Sequence, residues 1–418
     1  MIADRPGLME AIRARFAHVE ACPFEGPRIY FENAGGALRL NSVIATSAAY
    51  AGYPDNQGRA NPASQAMAAA IDKGKADMAL FFNAREGRVF VGESGTEVLF
   101  RLVRTAALGA AEGGVMLGST LEHPASTSAM ARWAEVTGRP HIRVPHDDAT
   151  GCVGVAAYRA HLTPDVRVAS IVHTSPVTGM AVDVSAVAAA IREVAPEAFI
   201  LVDGIQHASH GAVDVAACRA DGYAVSPYKM FSRHGYGVGW ASERLTACTK
   251  EQIRGGPAES WELGTRDAGS YATFSDVVAY LDWLGAETGA GPDPRQRLEA
   301  AGRAIRDHEA RLVGAILQGT GNLPGVAQLP GVVLVGGDAV AGREGVVSFR
   351  LETIPSAELV AHLGRNGIRV HIRKNDHYCG NVLGPLGMED CIRVSICHYN
   401  TEAEVARFLA AMQGAVRR

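Results

Sequence analysis

The stretch FILVDGIQH, residues 199–207, decides the fold. Phe199 to Val202 are apolar without interruption, and the run ends in Asp203 followed at once by Gly204. An apolar strand with no polar alternation is buried on both faces, as in a parallel sheet covered by helices. Ligands bind such a sheet outside the carboxyl ends of its strands, so Asp203 stands where a ligand is expected. Taken alone, Asp203 reads equally well as a turn or helix-cap aspartate.

Outward from this strand, apolar runs alternate with helix-period segments. Strand-like runs occupy Arg88–Gly92, 115–118, His141–Val144 and 166–173, and helical patterns cover 64–82, 95–111 and Val184–Val194. The alternation predicts an α/β fold with a mostly parallel sheet. After about Thr265 the character changes. Helical stretches at 271–285 and 294–318 precede strands at Val346–Leu351, 368–372 and 392–397, with helices at 356–365 and from Glu402. This order predicts a smaller α+β domain, so the chain divides into an N-terminal segment (1–25), a large domain (26–265) and a small domain (266–418). Gly/Pro clusters at 321–330 and 336–342 read as loops.

Composition narrows the function. The 418 residues are 47% hydrophobic and 20% charged, with a formal net charge of -4, which argues against a nucleic-acid binder. The N-terminus has no signal-peptide pattern, and no run of 18 or more apolar residues exists, so a cytoplasmic protein without a membrane partner is expected. Seven cysteines without any CxxC pair suggest reduced thiols and no metal site.

The chemistry lies in DGYAVSPYKMFSRHGYGVGW, residues 221–240. The chain has five lysines. Lys73, Lys75, Lys250 and Lys374 sit in polar surroundings, whereas Lys229 lies among apolar and aromatic residues between two strands. Desolvation lowers an amine pKa and makes a Schiff-base nucleophile plausible.

Together with Asp203, this lysine belongs to eight stretches in a familiar order: YFENAGG (30–36), FVGESGTEVLF (90–100), EHPAS (122–126), VHTSPVTG (172–179), VDGIQHASHGAVDV (202–215), SPYKMF (226–231), WELGT (261–265) and IRVSICHYNT (392–401). The sequence resembles the class V aminotransferase superfamily of fold-type I pyridoxal-5'-phosphate (PLP) enzymes, in its cysteine-desulfurase-like branch. The resemblance implies a seven-stranded, mostly parallel sheet in the large domain and a homodimer. It implies that Lys229 forms the internal aldimine and moves the Cα proton. Asp203 would hold the pyridine nitrogen charged, Gln206 would bond the phenolic oxygen, and His123 would stack on the ring. Gly95, Thr96, Ser226 and Tyr228 would bind the phosphate, and Gly264 with Thr265 would reach that of a neighbouring subunit. Arg393 would clamp the substrate carboxylate, with Asn33 and Ala34 lining its pocket.

Two positions depart from the family pattern. Tyr228 stands where many members have histidine, and Pro176 or a neighbouring hydroxyl where many have asparagine; TSPVTG is closer to epimerase-like relatives. The reaction is chosen by groups outside the shared core. Arg373, His377 and Cys379, in HIRKNDHYCGNVLG, echo the order of a desulfurase loop, with Cys379 a candidate nucleophile of lowered pKa or an unreactive loop thiol. The sequence leans to C–S lyase chemistry on a small L-amino acid. The alternatives are an aminotransferase, in which Arg373, His371 or Arg369 takes a second carboxylate, and an epimerase. A non-catalytic PLP-binding protein is disfavoured by the substrate clamp.

Overall fold

Strand Phe199–Asp203 is the middle of a seven-stranded sheet. A computed structural model describes residues 2–417. Strands β1 (Arg88–Gly92), β2 (Val115–Ser119), β3 (His141–Val144), β4 (Val166–Val172), β5 (Phe199–Asp203), β6 (Gly222–Val225) and β7 (Gly237–Ala241) lie in the order β1-β7-β6-β5-β4-β2-β3. Only β7 runs antiparallel to its neighbours. Every residue of β5, β6 and β7 is buried, as their apolar runs require.

Seven helices matter to the site: α1 (Pro62–Phe82), α2 (Gly95–Gly109), α3 (Pro124–Thr137), α4 (Val184–Val194), α5 (Ala268–Glu287), α6 (Pro294–Gln318) and α7 (Glu402–Val416). Their starts follow local chemistry. The Ser94 hydroxyl caps α2 by accepting from the amide of Glu97 at 3.1 Å. Helix α3 opens with Pro124, and its cap is the ring of His123, whose Nδ1 accepts from the amide of Ala125 at 3.1 Å.

The small sheet contains β8 (Val332–Val335), β9 (Val346–Leu351), β10 (His371–Lys374) and β11 (Asp390–Ser395), antiparallel in the order β8-β9-β11-β10. Strand β8 was not foreseen, because it is a four-residue run between two Gly-rich loops. The strand expected over 368–372 divides at Val370. Ile368–Arg369 pairs in parallel with Ile29–Tyr30, and the rest becomes β10.

Three apolar clusters result, one of them between α2, α3 and the large sheet (Leu99, Leu102, Met116, Met130 and Leu201). Tyr271, Phe274 and Leu284 of α5 and Leu298 and Ile305 of α6 pack into the core of the large sheet, downstream of the expected division at 265. Leu312, Val313 and Ile316 of α6 pack with Phe31, Phe349, Ile392 and Phe408 in the second core. Helix α6 therefore joins the core of the large sheet to that of the small one, and Ile29–Phe31, just after the N-terminal segment, is stitched to the small sheet's side.

Candidate active site at the carboxyl edge of the large sheet

The carboxyl ends of β4, β5 and β6, with the starts of α2 and α3, surround a narrow cleft. It is lined by Thr96, His123, Asp203, Gln206, Ser226, Tyr228 and Lys229, among others. With Val172, Thr174 and Pro176 included, residues from five separate stretches of sequence thus meet in one place. Asn33, Ala34, Gly264, Thr265, Arg373, Cys379 and Arg393 lie outside this lining.

Lys229 follows β6 at the end of a short 3-10 turn, Pro227–Lys229. Only 9% of it is exposed, and its Nζ donates to Gln206 Oε1 at 3.3 Å. Burial, reinforced by Arg393, lowers its pKa to about 8, against the pull of Asp203. About a tenth of the amine is therefore neutral and nucleophilic at pH 7, far more than for a solvated lysine.

Asp203 ends β5 with its carboxylate oriented by two donors: Ser126 Oγ at 2.9 Å and the amide of Ile205 at 3.1 Å. Because His123 Nδ1 accepts the Ala125 amide, the neutral ring carries its proton on Nε2. Burial lowers the pKa of His123, with Asp203 opposing, so the ring is neutral at pH 7.

A phosphate-sized anion has a prepared place. At Gly95 a Cβ would lie 2.2 Å from Ser226 Oγ and 2.7 Å from Ile205 Cδ1, so only glycine lets the start of α2 approach the lysine turn this closely. The free amides of that helix start lie beside the hydroxyls of Thr96 and Ser226. Tyr228 packs on the His234 ring with centroids 4.3 Å apart, and burial raises its pKa, keeping a donor hydroxyl.

The small domain contributes the cations. His371 faces Arg393 and Arg373 faces Cys391 across β10 and β11, so these four residues share one face of the sheet. Ile392, on the opposite face, enters the small core. Arg393 is 3% exposed, donates from one NH to the Pro176 carbonyl at 3.0 Å, and has a buried Nε without a hydrogen-bond partner among the described residues. Burial and the nearby Arg373 bring its pKa down to about 10, leaving it charged at neutral pH. A buried cation with an unmet donor is chemically complementary to a carboxylate.

The candidate nucleophile differs from expectation. Cys379 is fully buried, and its sulfur accepts from Arg373 Nε at 2.9 Å and NH2 at 2.7 Å. Burial nevertheless outweighs Arg373 and raises the thiol pKa, contrary to the lowered value expected from the loop sequence. His377 is exposed and stacks on Tyr378 at 4.0 Å. Of the three residues considered for a second carboxylate, Arg369 and His371 are engaged by Glu32, leaving Arg373.

Asn33 reads differently too. Its amide donates to the carbonyls of Tyr30 and Ser395 and to Asn400 Oδ1, and its oxygen accepts from Tyr399, while the Ala34 amide bonds Ser395 Oγ. Gly264 and Thr265 are exposed.

Sequence reasoning missed several site residues. Ser126 lies three residues beyond His123 at the start of the same helix, a spacing that signalled it. Glu122, buried behind the cleft, accepts from Val172 N, Ser119 and Ser170; burial and Asp203 push its pKa to about 7. His210 and Glu309, 99 positions apart, form a buried pair that no local pattern announces.

A lysine after the sixth strand, an acid after the fifth and an anion cradle on the second helix define a fold-type I PLP-dependent architecture. The chain belongs to the aminotransferase class-V family, whose model matches residues 29–277 and 298–408. It is 26% identical to a probable cysteine desulfurase of Vibrio cholerae, with 98% of each chain covered, and 26% identical to the aminotransferase-like protein FGM3 of Gibberella zeae, covering 97% of this chain and 98% of that one. Its fold is that of a cysteine desulfurase from Thermococcus onnurineus, solved in the apo form (TM-score 0.79, 20% identity, 93% of this chain and 95% of that one). It also matches the cysteine desulfurase CsdA of Escherichia coli (TM-score 0.78, 21% identity, 98% of both chains).

Proposed function

We propose that this protein binds PLP covalently on Lys229 and breaks the C–S bond of a small L-amino acid in the manner of a cysteine desulfurase. The observation that carries the PLP reading is Lys229 itself, a buried amine with its pKa near 8 in a cleft shared with Asp203 and an anion cradle. Those groups match PLP part by part: amine to aldehyde, Asp203 to ring nitrogen, Gln206 to phenolic oxygen, and Gly95, Thr96, Ser226 and Tyr228 to phosphate. His123 suits a flat face above the ring.

Bound there, PLP supplies an electron sink that makes the Cα hydrogen of an attached amino acid acidic. Asp203, anchored by Ser126, keeps that sink charged. Arg393 takes the substrate carboxylate on the Nε that otherwise lacks a partner, which fixes the direction of the Cα–H bond. Lys229, once displaced, is the base that removes this proton and returns it. Cys379 would then receive the substrate's sulfur, with the Arg373 guanidinium stabilising its thiolate against burial. The names of the relatives support this reading.

A second reading rests on the buried state and raised pKa of Cys379. In an aminotransferase, Arg373 would release the sulfur and bind a second carboxylate. The exposed Gly264 and Thr265 suit a homodimer in which each completes the partner's phosphate site, and seven free cysteines suit the cytoplasm.

The test is absorbance of the PLP-reconstituted protein against a panel of amino acids, with sulfide release from L-cysteine compared in Cys379→Ala. The desulfurase reading expects release by the wild type and its loss in the variant. Equal release by both removes Cys379 from the mechanism. A stable pyridoxamine spectrum, reversed by a 2-oxo acid, selects the aminotransferase instead.

A further inference from the structure

The Gln206 amide touches two groups at once. Its Oε1 accepts from Lys229 Nζ at 3.3 Å, and its Nε2 lies 3.2 Å from His210 Nε2. His210 Nδ1 lies 2.7 Å from Glu309 Oε2. Gln206, His210 and Glu309 are each at most 4% exposed, so no bulk water competes for these bonds. The chain of contacts runs from the lysine to α6.

Proton inventory fixes its direction. Burial raises the pKa of Glu309 and its pairing with His210 opposes this; as a carboxylate Glu309 only accepts, so His210 Nδ1 carries a hydrogen. A neutral His210 then has a bare Nε2, which accepts from the Gln206 NH2 and leaves Oε1 facing Lys229, as observed. A charged His210 donates from both nitrogens, and an amide NH2 cannot accept. The amide must then turn end for end, sending Oε1 to His210 and NH2 into the cleft. The ring itself has little freedom, since a Cβ at Gly345 would lie 2.6 Å from His210 Cε1.

The groups around the ring act in both directions. Burial opposes its charge and Lys229 repels it, while Glu309 on α6 and Glu344 beside Gly345 favour it, leaving His210 more basic than an ordinary histidine. His398, from the stretch after β11, is a further neighbour, pushed to a pKa of about 3 by burial and by His308 and His210, and so stays neutral.

We propose that His210, held by Glu309, is a positioning residue that sets which end of the Gln206 amide faces bound PLP: NH2 when His210 is charged, oxygen when it is neutral. This rests on the PLP reading above. The NH2 end donates to the ring's phenolic oxygen. The oxygen end cannot, and leaves that oxygen without this donor. Glu309 lies outside the cleft lining, so its influence passes through His210.

The test titrates the visible band of the full-length, PLP-reconstituted protein with pH, alongside cofactor retention on dialysis. In wild type, a spectral step tracks His210. In Glu309→Gln the step moves to lower pH by about one to two units, the loss of one charged hydrogen bond, and in His210→Gln it disappears. In a Gln206→Ala background neither substitution changes the titration further. Variants that titrate like wild type, or that act equally without Gln206, overturn the proposal. A wild-type protein that never develops a visible band overturns the PLP reading itself, and this one with it.

Discussion

Lys229 shows how one side chain carries a pH dependence. Its pKa is depressed to about 8 from an ordinary 10.5, chiefly by burial, so the neutral amine becomes dominant above pH 8. Covalent capture of PLP by the cofactor-free protein should accelerate with pH through a midpoint near 8, and Lys229→Ala should show no visible band. A midpoint near that of a solvated lysine would contradict the burial argument. Arg393→Lys keeps the charge but loses the planar fork and the Nε donor, which should lower kcat/KM by roughly 100-fold, about 2–3 kcal/mol, with the visible band unchanged. A wild-type kcat/KM in this variant would show that Arg393 does not clamp substrate. Asp203 and Arg393 were legible because each ends or interrupts an apolar strand with a residue the strand does not need, and Lys229 because it is the lysine set among apolar and aromatic residues between two strands. Cys379 was not, since the loop that displays a thiol in sequence buries it in three dimensions.

At the scale of elements, the start of α2 is a close fit against the lysine turn. Gly95→Ala would press a methyl into Ser226 Oγ and Ile205, forcing the helix away from the lysine turn. PLP retention should weaken by about tenfold or more while the circular dichroism spectrum stays native. A comparison inside α7 isolates the cause. A Cβ at Gly414 meets nothing within 4 Å, so Gly414→Ala should leave PLP binding intact and raise stability by roughly 0.5 kcal/mol, measured by urea unfolding. Equal PLP retention in the two variants would mean that helix proximity does not build the phosphate site. The α2 and β5 elements were readable from periodicity and from abrupt ends. Strand β8 and the break at Val370 were not, because pairing partners far along the chain decide them: Val346–Leu351 for the first, Ile29–Tyr30 for the second.

Across the whole molecule, the N-terminal segment fastens the lysine turn to the small domain. The Phe16 ring, 3% exposed, meets Phe231 at 5.4 Å, Tyr280 at 5.3 Å, His398 at 5.8 Å and Tyr399 at 4.5 Å between centroids. Those partners come from the turn after Lys229, from α5 and from the segment after β11, so one ring joins three parts of the chain. Phe231 is moreover held at φ 74°, a conformation that a bulky side chain adopts only when its surroundings impose it. Phe16→Ala therefore removes both a large buried side chain and one of the supports of the lysine turn. The expected cost is about 3–5 kcal/mol of unfolding free energy, a large share of the roughly 5–15 kcal/mol typical of a folded domain. Phe24, 94% exposed on the same segment, provides the contrast, and Phe24→Ala should change stability by no more than about 0.5 kcal/mol. Urea unfolding followed by both tryptophan fluorescence and the visible band reads the two effects together. For Phe16→Ala the band should be lost at lower urea than the fluorescence change, because the lysine turn loosens before the large core opens. If Phe16→Ala proves no more destabilising than Phe24→Ala, the fastening lies elsewhere, in the backbone pairing of Ile29–Tyr30 with Ile368–Arg369.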